Sequence, residues 1–270
     1  MWQIFCFLAI DFIQLYKLVD IMLCLNYNRA RNKTKQEWSI PMKIYFVRHG
    51  EPDYKTDTLT EMGHLQAEAA AEQLKNSGIQ KIFSSTCGRA VETAQHTADK
   101  LGLGVESFDF IREIHWHSKD GQPIFKGGHP WFIADDMVLK GENIFDPNWA
   151  ESDRFSSSVI GEYVKKVTDG LDEWLKTLGY EREGDFYRVV GEDTDQTVAM
   201  FSHAGASSAA LAHLFGWSLP WVMTAVRLEF TSITVVEFSN EKGTLTFPVL
   251  KLLNDARHLE GLETQNIFGN

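Results

Sequence analysis

The stretch that decides the fold is MKIYFVRHGE, residues 42–51. Residues 43–47 are mostly apolar and β-favouring, which predicts a short buried strand. His49 and Gly50 follow this strand, and glycine lets the backbone turn sharply and approach a ligand closely. Ligands of open α/β sheets bind at the carboxyl ends of strands, so Arg48 and His49 are candidate site residues.

Two further strands end in similar polar sequences. Residues 197–201 predict a strand that leads into Ser202-His203-Ala204-Gly205, and residues 79–84 predict a strand that leads into the loop before Arg89. Arg89 falls at the start of a helix, where the dipole and free N–H groups favour an anion. Since arginine donates hydrogen bonds in pairs to phosphate oxygens, two arginines and two histidines predict a phosphate site.

The remaining pattern alternates helices and strands. The helices are predicted over residues 60–76, 90–101 and 159–178, with Thr60 as an N-cap, and a small-residue helix ends at Leu214. The strands are predicted over residues 105–110, 231–238 and 245–253. Trp174 lies in an apolar stripe of helical spacing, which predicts a core position. The order predicts a three-layer α/β/α sandwich with a mostly parallel sheet.

Composition narrows the class of protein. The chain has 270 residues, 44% of them hydrophobic, and a formal net charge of −11. An acidic chain argues against a nucleic-acid partner, which requires a basic face. Cys87 is the sole cysteine after residue 41, so we expect no disulfide framework, a packing role for Cys87 and a cytoplasmic location.

Residues 1–41 differ in character from the rest. We interpret them as an N-terminal extension outside the main fold, and residues 42–270 as one domain. Residues 1–25 are apolar, but Asp11, Lys17 and Asp20 interrupt them. A charge at mid-bilayer costs about 2.5–3.5 kcal/mol, which disfavours a membrane span. Membrane association of residues 1–35 as an interfacial helix is the less favoured alternative.

Residues 114–158 interrupt the alternation of predicted helices and strands, which predicts an inserted cap region. This segment is rich in tryptophan, glycine and proline, and it contains His115, His117 and His129. Two histidines one residue apart recur in zinc sites, so a metal site is one interpretation. No fourth ligand stands out, which favours a role in lining a substrate pocket or in packing.

Five segments together resemble the histidine phosphatase superfamily, in its phosphoglycerate mutase-like branch. They occur in the family's order and spacing between residues 42 and 255, apart from the insert. The matching residues are Arg48-His49-Gly50-Glu51; Leu59-Thr60 with Gly63 and Gln66-Ala67; Ser84-Ser85 with Arg89-Ala90 and Glu92-Thr93-Ala94; Ile111-Arg112-Glu113; and Ser202-His203-Ala204-Gly205.

The resemblance implies a phosphoglycerate mutase-like fold and a set of roles. His49 would be the nucleophile that forms a phosphohistidine. Arg48, Arg89 and His203 would bind the phosphoryl oxygens, beside substrate-binding positions at Gly50 and Ala204. Glu113 would be the general acid and base, with Asp109 and Glu106 as rival acids. Neither a metal nor another cofactor is expected, because arginine and histidine supply the positive charge.

The sequence favours a phosphatase that acts on a small-molecule phosphate ester. Mutases of the superfamily usually carry Ser and then Trp-Asn shortly after the Arg-His-Gly-Glu motif, whereas Pro52-Asp53-Tyr54-Lys55 follows here. A mutase of atypical sequence is the second interpretation. The third is a non-catalytic binder of phosphorylated ligands on the same fold. The sequence names neither the substrate nor the oligomeric state.

Overall fold

The computed structural model describes residues 41–122, 132–192 and 194–262, and a twisted sheet runs through them. The strands are β1 (Met42–Arg48), β2 (Pro52–Asp53), β3 (Thr58–Leu59), β4 (Lys81–Ser85), β5 (Val105–Phe108), β6 (Tyr180–Glu183), β7 (Phe186–Val189), β8 (Thr197–Ser202), β9 (Ile233–Phe238), β10 (Leu245–Thr246) and β11 (Val249–Asp255). The α-helices are α1 (Glu61–Leu74), α2 (Gly88–Leu101), α3 (Ile133–Leu139), α4 (Asp153–Ser156), α5 (Ile160–Thr177), α6 (Ala204–Phe215) and α7 (Leu219–Ala225). Two 3₁₀ turns lie at Trp149–Glu151 and Arg257–Leu259.

The central sheet has six strands in the order β11-β9-β1-β8-β4-β5. Strand β8 pairs in parallel with both β1 and β4, and β4 pairs in parallel with β5. Strands β9 and β11 are antiparallel additions on the other side of β1. The prediction of a mostly parallel sheet is therefore confirmed.

Helices cover both faces of this sheet because side chains alternate along each strand. Ile44 and Phe46 of β1 join the larger apolar core with residues of α5, α6 and α7. Val47 points to the other face and packs in a second core with residues of α1 and α2. This arrangement confirms the three-layer α/β/α sandwich. Trp174 is buried in the larger core, as its helical spacing predicted.

The register of the central strands brings the two histidines together. Arg48 lies opposite Ser202 at the ends of β1 and β8, so His49 and His203 are the next residue on each chain segment. The His49 backbone N–H donates to the Ser202 carbonyl at 2.8 Å, which continues the pairing one step further. A parallel sheet places both strand ends at one edge, as the sequence predicted.

The helices predicted from the sequence are confirmed within a few residues, but one strand prediction is wrong. Residues 245–253 form two strands in different sheets: β10 pairs with β7, and β11 pairs with β9. Phe247 and Pro248 separate them. Proline has no backbone N–H to donate to a ladder, so the strand is interrupted there. The hairpin β6–β7 and helix α7 were not predicted.

The segment 114–158 carries α3, α4 and the first 3₁₀ turn in its described part, and contributes no strand there to the central sheet. Six of its apolar side chains are buried in the larger core: Ile114, Trp116, Ile133, Met137, Trp149 and Phe155. The segment therefore packs on the sandwich through its own apolar residues. Residues 1–40 and His129 lie outside the described residues. No described helix is both long and apolar enough to cross a membrane.

Candidate active site

His49 is held in one orientation by its own neighbour. The side chain is 2% exposed, and Nδ1 lies 2.6 Å from the Gly50 carbonyl oxygen. A carbonyl only accepts, so Nδ1 carries the proton and donates it. Nε2 then has a lone pair, which accepts a hydrogen bond from Arg89 Nε at 3.3 Å. A neutral ring with its free nitrogen toward an arginine is the state that a nucleophilic histidine requires.

The surroundings keep this imidazole neutral. Burial lowers the pKa of His49 well below its usual range, and the nearby Arg48 and Arg89 guanidinium groups lower it further. The pKa of His203 is also well below its usual range because of burial, with His49 and Arg89 as further causes. Both rings are therefore uncharged at neutral pH when no anion is bound.

Arg89 lies between the two histidines at the first turn of α2. Its terminal NH2 group lies 3.1 Å from His203 Nδ1, while its Nε donates to His49. Asp57 accepts a hydrogen bond from Arg89 Nη1 and another from the Gly88 N–H at 2.8 Å. One carboxylate thus fixes both the guanidinium group and the start of the helix.

His203 is oriented by a serine from the neighbouring strand. Its Nε2 lies 2.8 Å from Ser85 Oγ, and the rings of His203 and His49 are 5.1 Å apart at nearly an edge-to-face angle. Because Arg89 donates to Nδ1, the proton of the neutral His203 ring is on Nε2, and Ser85 accepts it. Ser85 Oγ also accepts from the Cys87 N–H at 3.2 Å.

Arg48 is buried and only partly hydrogen-bonded. Its Nη1 donates to the Leu228 carbonyl at 2.6 Å, and its guanidinium group lies 4.1 Å from the centre of the Phe230 ring. Arg48 Nε is buried and has no hydrogen-bond partner among the residues that the structure describes. A buried charged donor without a partner is costly, so this atom favours an anionic ligand.

Glu113 approaches the same cluster from the loop after β5. Oε1 accepts from the N–H groups of Ile114 and Ala206, each at 3.0 Å, and Oε2 accepts from the Gly205 N–H at 3.4 Å. Burial raises the pKa of Glu113, although these N–H groups and Arg48 oppose the rise. A carboxyl with a raised pKa is suited to proton transfer at neutral pH.

The rival acids are less suited to that chemistry. The Asp109 side chain is 68% exposed, and its pKa is lowered mainly by a hydrogen bond from Thr86. Glu106 is exposed on β5. Neither carboxyl is buried. The geometry therefore favours Glu113 as the proton donor.

Gly50 and Ala204 have backbone positions next to these side chains. The Gly50 N–H donates to Thr93 Oγ1 at 3.0 Å, so it is engaged within the protein, and its carbonyl holds His49. A β-carbon on Gly50 would lie 2.6 Å from the Gly63 carbonyl oxygen, which explains the glycine. Ala204 is the buried first residue of α6.

The sequence patterns predict no role for Asp57, Ser85 or Phe230. Asp57 has a positive φ of 55°, a conformation that aspartate tolerates better than most residues, but the sequence gives no sign of its partner. Ser85 was part of a matching segment, and its place at the end of a strand next to β8 was the available signal. Phe230 comes from a stretch before β9 without a motif.

The histidines of the insert do not form a metal site in the part of the chain that the structure describes. The rings of His115 and His117 are 5.8 Å apart, and His117 Nδ1 lies 2.8 Å from the Ser118 carbonyl oxygen. Within those residues, no group of three or more potential ligands is placed to hold a metal ion. His115 instead packs edge-to-face against Tyr163 at 4.8 Å.

Replacing Gly205 with alanine should displace the Glu113 carboxyl. The new β-carbon would lie 2.7 Å from both Glu113 Oε1 and Ile114 Cγ1, closer than real contacts allow. We expect kcat to fall about 100-fold, since a shift of about 1 Å in a catalytic group can cost that much. Steady-state kinetics of the purified variant measure the change.

Gly161→Ala is the matched control. Gly161 is the second residue of α5, as Gly205 is of α6, and a β-carbon there meets nothing within 4 Å. Alanine should therefore leave kcat unchanged and stabilise the helix by about 0.5–1 kcal/mol. Equal kcat in the two variants would contradict the assigned position of the acid.

Together these groups have the chemistry that attack on a phosphate ester would require. A neutral histidine presents a lone pair, two arginines and a second histidine surround it, and a buried carboxyl with a raised pKa lies next to them. Preorganised positive charge stabilises the oxygens of a transferring phosphoryl group. The carboxyl can supply the proton that the leaving alkoxide needs.

Comparison with known proteins agrees with this chemistry. Residues 44–250 match the histidine phosphatase superfamily (branch 1). Proteins named probable phosphoglycerate mutase GpmB from Yersinia pestis (strain Pestoides F) and Yersinia pseudotuberculosis (serotype O:1b, strain IP 31758) are similar to the chain. Each is 34% identical over 229 residues, which cover 81% of this chain and 95% of the relative.

Solved structures show the same fold. A phosphoserine phosphatase mutant from Entamoeba histolytica, crystallised with phosphoserine, aligns with a TM-score of 0.55 and 23% identity over 81% of this chain and 99% of its own. A mycobacterial glucosyl-3-phosphoglycerate phosphatase aligns with a TM-score of 0.53 and 24% identity over 78% of this chain and 98% of its own. These likenesses confirm the phosphoglycerate mutase-like fold.

Proposed function

Because the chain belongs to the histidine phosphatase superfamily, we propose that it hydrolyses monophosphate esters of small metabolites through a phosphohistidine on His49. The observation that carries this proposal is the state of His49. Its Nδ1 is tied to the Gly50 carbonyl, and its Nε2 lone pair faces the Arg89 guanidinium group, where an anion would bind.

In the first step, His49 Nε2 attacks the phosphorus atom and the bond from phosphorus to the ester oxygen breaks. Glu113 gives its proton to the departing oxygen, so the alcohol leaves neutral and the carboxyl becomes a carboxylate. In the second step a water molecule attacks the phosphohistidine. Glu113 takes a proton from that water, inorganic phosphate leaves, and both residues return to their starting states.

The positive charge for both steps comes from side chains. Arg89 and the unpaired Nε of Arg48 would bind the phosphoryl oxygens as they gain charge. In the unliganded site His203 Nδ1 accepts from Arg89, so it must gain a proton before it can donate to a phosphoryl oxygen. A bound phosphate dianion would favour that protonation. We therefore propose a reaction independent of metal ions.

The rival function is phosphoryl transfer between positions of one metabolite. It is favoured by the relatives named probable phosphoglycerate mutase, whereas the solved structures described above are named phosphatases. The departure at Pro52-Asp53-Tyr54-Lys55 from the usual mutase sequence supports hydrolysis.

The free cysteine Cys87 and the lack of a disulfide framework after residue 41 support a cytoplasmic location, which also stays a proposal.

The deciding experiment compares two rates with the full chain. Inorganic phosphate release is measured on a panel of phosphate esters, and isomerisation of 3-phosphoglycerate is measured in parallel, both with and without EDTA. We expect hydrolysis to exceed isomerisation and to persist in EDTA. Faster isomerisation would establish the mutase, and loss of activity in EDTA would refute the metal-independent mechanism. Binding of esters without either reaction would indicate a non-catalytic binder.

A further inference from the structure

Residues 227–231, which lie just before β9, form one wall of the candidate site, and we call them the Arg48-binding loop. The Leu228 carbonyl accepts a hydrogen bond from Arg48 Nη1 at 2.6 Å. The Thr231 N–H donates to the His49 carbonyl at 3.3 Å. The loop therefore contacts both Arg48 and the backbone of His49, so its position affects where these two residues lie.

The side chain of Asn254 binds this loop on both sides of Leu228. Asn254 Oδ1 accepts from the Glu229 N–H at 2.8 Å, and Asn254 Nδ2 donates to the Arg227 carbonyl at 2.9 Å. An amide has both an acceptor and a donor, so it can pair with a backbone N–H and a backbone carbonyl at once. Because the two bonds flank Leu228, they also fix the Leu228 carbonyl that Arg48 contacts.

The local structure of β11 explains how Asn254 comes to face the loop. Leu252 pairs with Val235 of β9 and Asp255 pairs with Ile233, so β11 has one extra residue between these two pairs. A bulge of this kind redirects a side chain away from the regular alternation of a strand. Asn254 lies in the bulge with a positive φ of 53°, a conformation in which asparagine is enriched. The backbone conformation and the two hydrogen bonds thus both favour asparagine at this position.

A second contact joins the end of β11 to the Arg48-binding loop. Thr231 Oγ1 lies 2.9 Å from Nε2 of His258, which belongs to the 3₁₀ turn after β11. Thr231 has a positive φ of 51°, which is rare for a β-branched residue. Strained residues of this kind persist where their surroundings hold them, and they concentrate at functional sites. Asn254 and His258 therefore hold the loop at two points, one beside the contact to Arg48 and one beside the contact to His49.

We propose that Asn254 is a positioning residue for Arg48: it fixes the Leu228 carbonyl and thereby directs the guanidinium group toward the phosphoryl oxygens of a bound ester. The proposal rests on the proposed function. A guanidinium group is planar and its donors point in fixed directions, so the hydrogen bond at Nη1 determines where the Nε–H points. Without the Asn254 amide, the Leu228 carbonyl can move, and Arg48 can turn away from the phosphate.

Asn254→Gly tests this proposal, because glycine keeps the positive φ and removes the amide. We expect kcat/KM for an ester that the full chain hydrolyses to fall about tenfold, since a small displacement of a binding group is costly. Inorganic phosphate should also become a weaker competitive inhibitor. Asn254→Asp should lower kcat/KM as well, because a carboxylate cannot donate to the Arg227 carbonyl. Asn143→Gly is the matched control: Asn143 Oδ1 accepts from the Phe145 N–H at 3.0 Å on an exposed turn of segment 114–158, and kcat/KM should be unchanged.

A double-mutant cycle separates positioning of Arg48 from a general effect on stability. Arg48→Met removes the guanidinium group, so Asn254→Gly should have no further effect on kcat/KM in that background. A purely structural role of Asn254 would instead give the same loss with and without Arg48. That result, or an unchanged kcat/KM in Asn254→Gly alone, would overturn the proposal.

Failure of the proposed function gives a different result. If the full chain hydrolyses no ester, the hydrolase proposal fails, and the dissociation constant of inorganic phosphate is then measured by titration calorimetry on the full chain and the same variants. Weaker phosphate binding in Asn254→Gly that depends on the presence of Arg48 would still support the positioning role. Equal dissociation constants with and without Asn254, or no phosphate binding at all, would overturn it.

Discussion

Replacing His49 with alanine is expected to reduce kcat for phosphate release by at least about 10⁴-fold, the effect of removing a covalent nucleophile. No other group in the cluster can replace it. His203 points Nε2 at Ser85 and Nδ1 at Arg89, and Cys87 is buried at the start of α2 with its N–H on Ser85. The remaining activity should come only from binding and from the arginines.

His64→Ala is the control for this variant, because His64 is about half exposed and pairs with His96 on the surface of α1 and α2. It should keep full activity. A rapid-quench experiment adds a direct readout: the unaltered chain should form an acid-labile phosphoprotein during turnover, and His49→Ala should not. Full activity in His49→Ala would exclude the nucleophile assignment.

Replacing Glu113 with glutamine has the second-largest expected effect, a fall in kcat of about 10²–10⁴-fold. Glutamine keeps an oxygen that can accept from the Ile114 and Ala206 N–H groups, so the side chain should stay in place. What it loses is the acidic proton that the carboxyl would give to the leaving oxygen. The loss should be smaller for an aryl phosphate, because a phenolate needs less protonation to leave than an alkoxide.

The pH profile should identify the same group. The acid form of Glu113 is required in the first step, so kcat/KM should fall as pH rises through its raised pKa. The neutral form of His49 is also required, so kcat/KM should fall as pH decreases through its lowered pKa. Activity is therefore expected between these two limits. Glu113→Gln should lose the alkaline limb and keep the acidic one.

Glu106→Gln is the control for Glu113→Gln. Glu106 is an exposed acid of β5 that the sequence left as a rival to Glu113. Its replacement should change neither kcat nor the pH profile. A loss of the alkaline limb in this variant, with the limb retained in Glu113→Gln, would transfer the acid role to Glu106.

Much of the fold and of the site could be predicted because those parts depend on short, local stretches of sequence. A buried strand followed by His and Gly occurs twice, and parallel strands bring such ends to one edge. This predicted that His49 and His203 would meet. Thr60 was predicted as an N-cap from its residue type, and its side chain accepts from the Gly63 N–H at 3.0 Å.

The other contacts depend on packing between distant segments. Asp57 contacts Arg89 because the hairpin β2–β3 lies against the start of α2. The sequence does not show which residues of the hairpin and the helix come together. The motif favoured Glu113 over its rivals Glu106 and Asp109, but its burial is a property of the folded chain. Pro248 explains why β10 and β11 are separate strands. The sequence of residues 245–253 alone does not show which sheet each of them joins.

The parallel pairing of β1 with β8 also affects how fast the site forms during folding. Arg89 contacts a histidine 114 positions further along the chain, and Arg48 contacts a carbonyl 180 positions away. Contacts of such sequence separation close large loops and form slowly compared with helices. The catalytic cluster therefore exists only in chains whose central strands have found their partners. Recovery of enzyme activity during refolding would therefore show that the central strands have paired. Recovery of helix content alone would not show this.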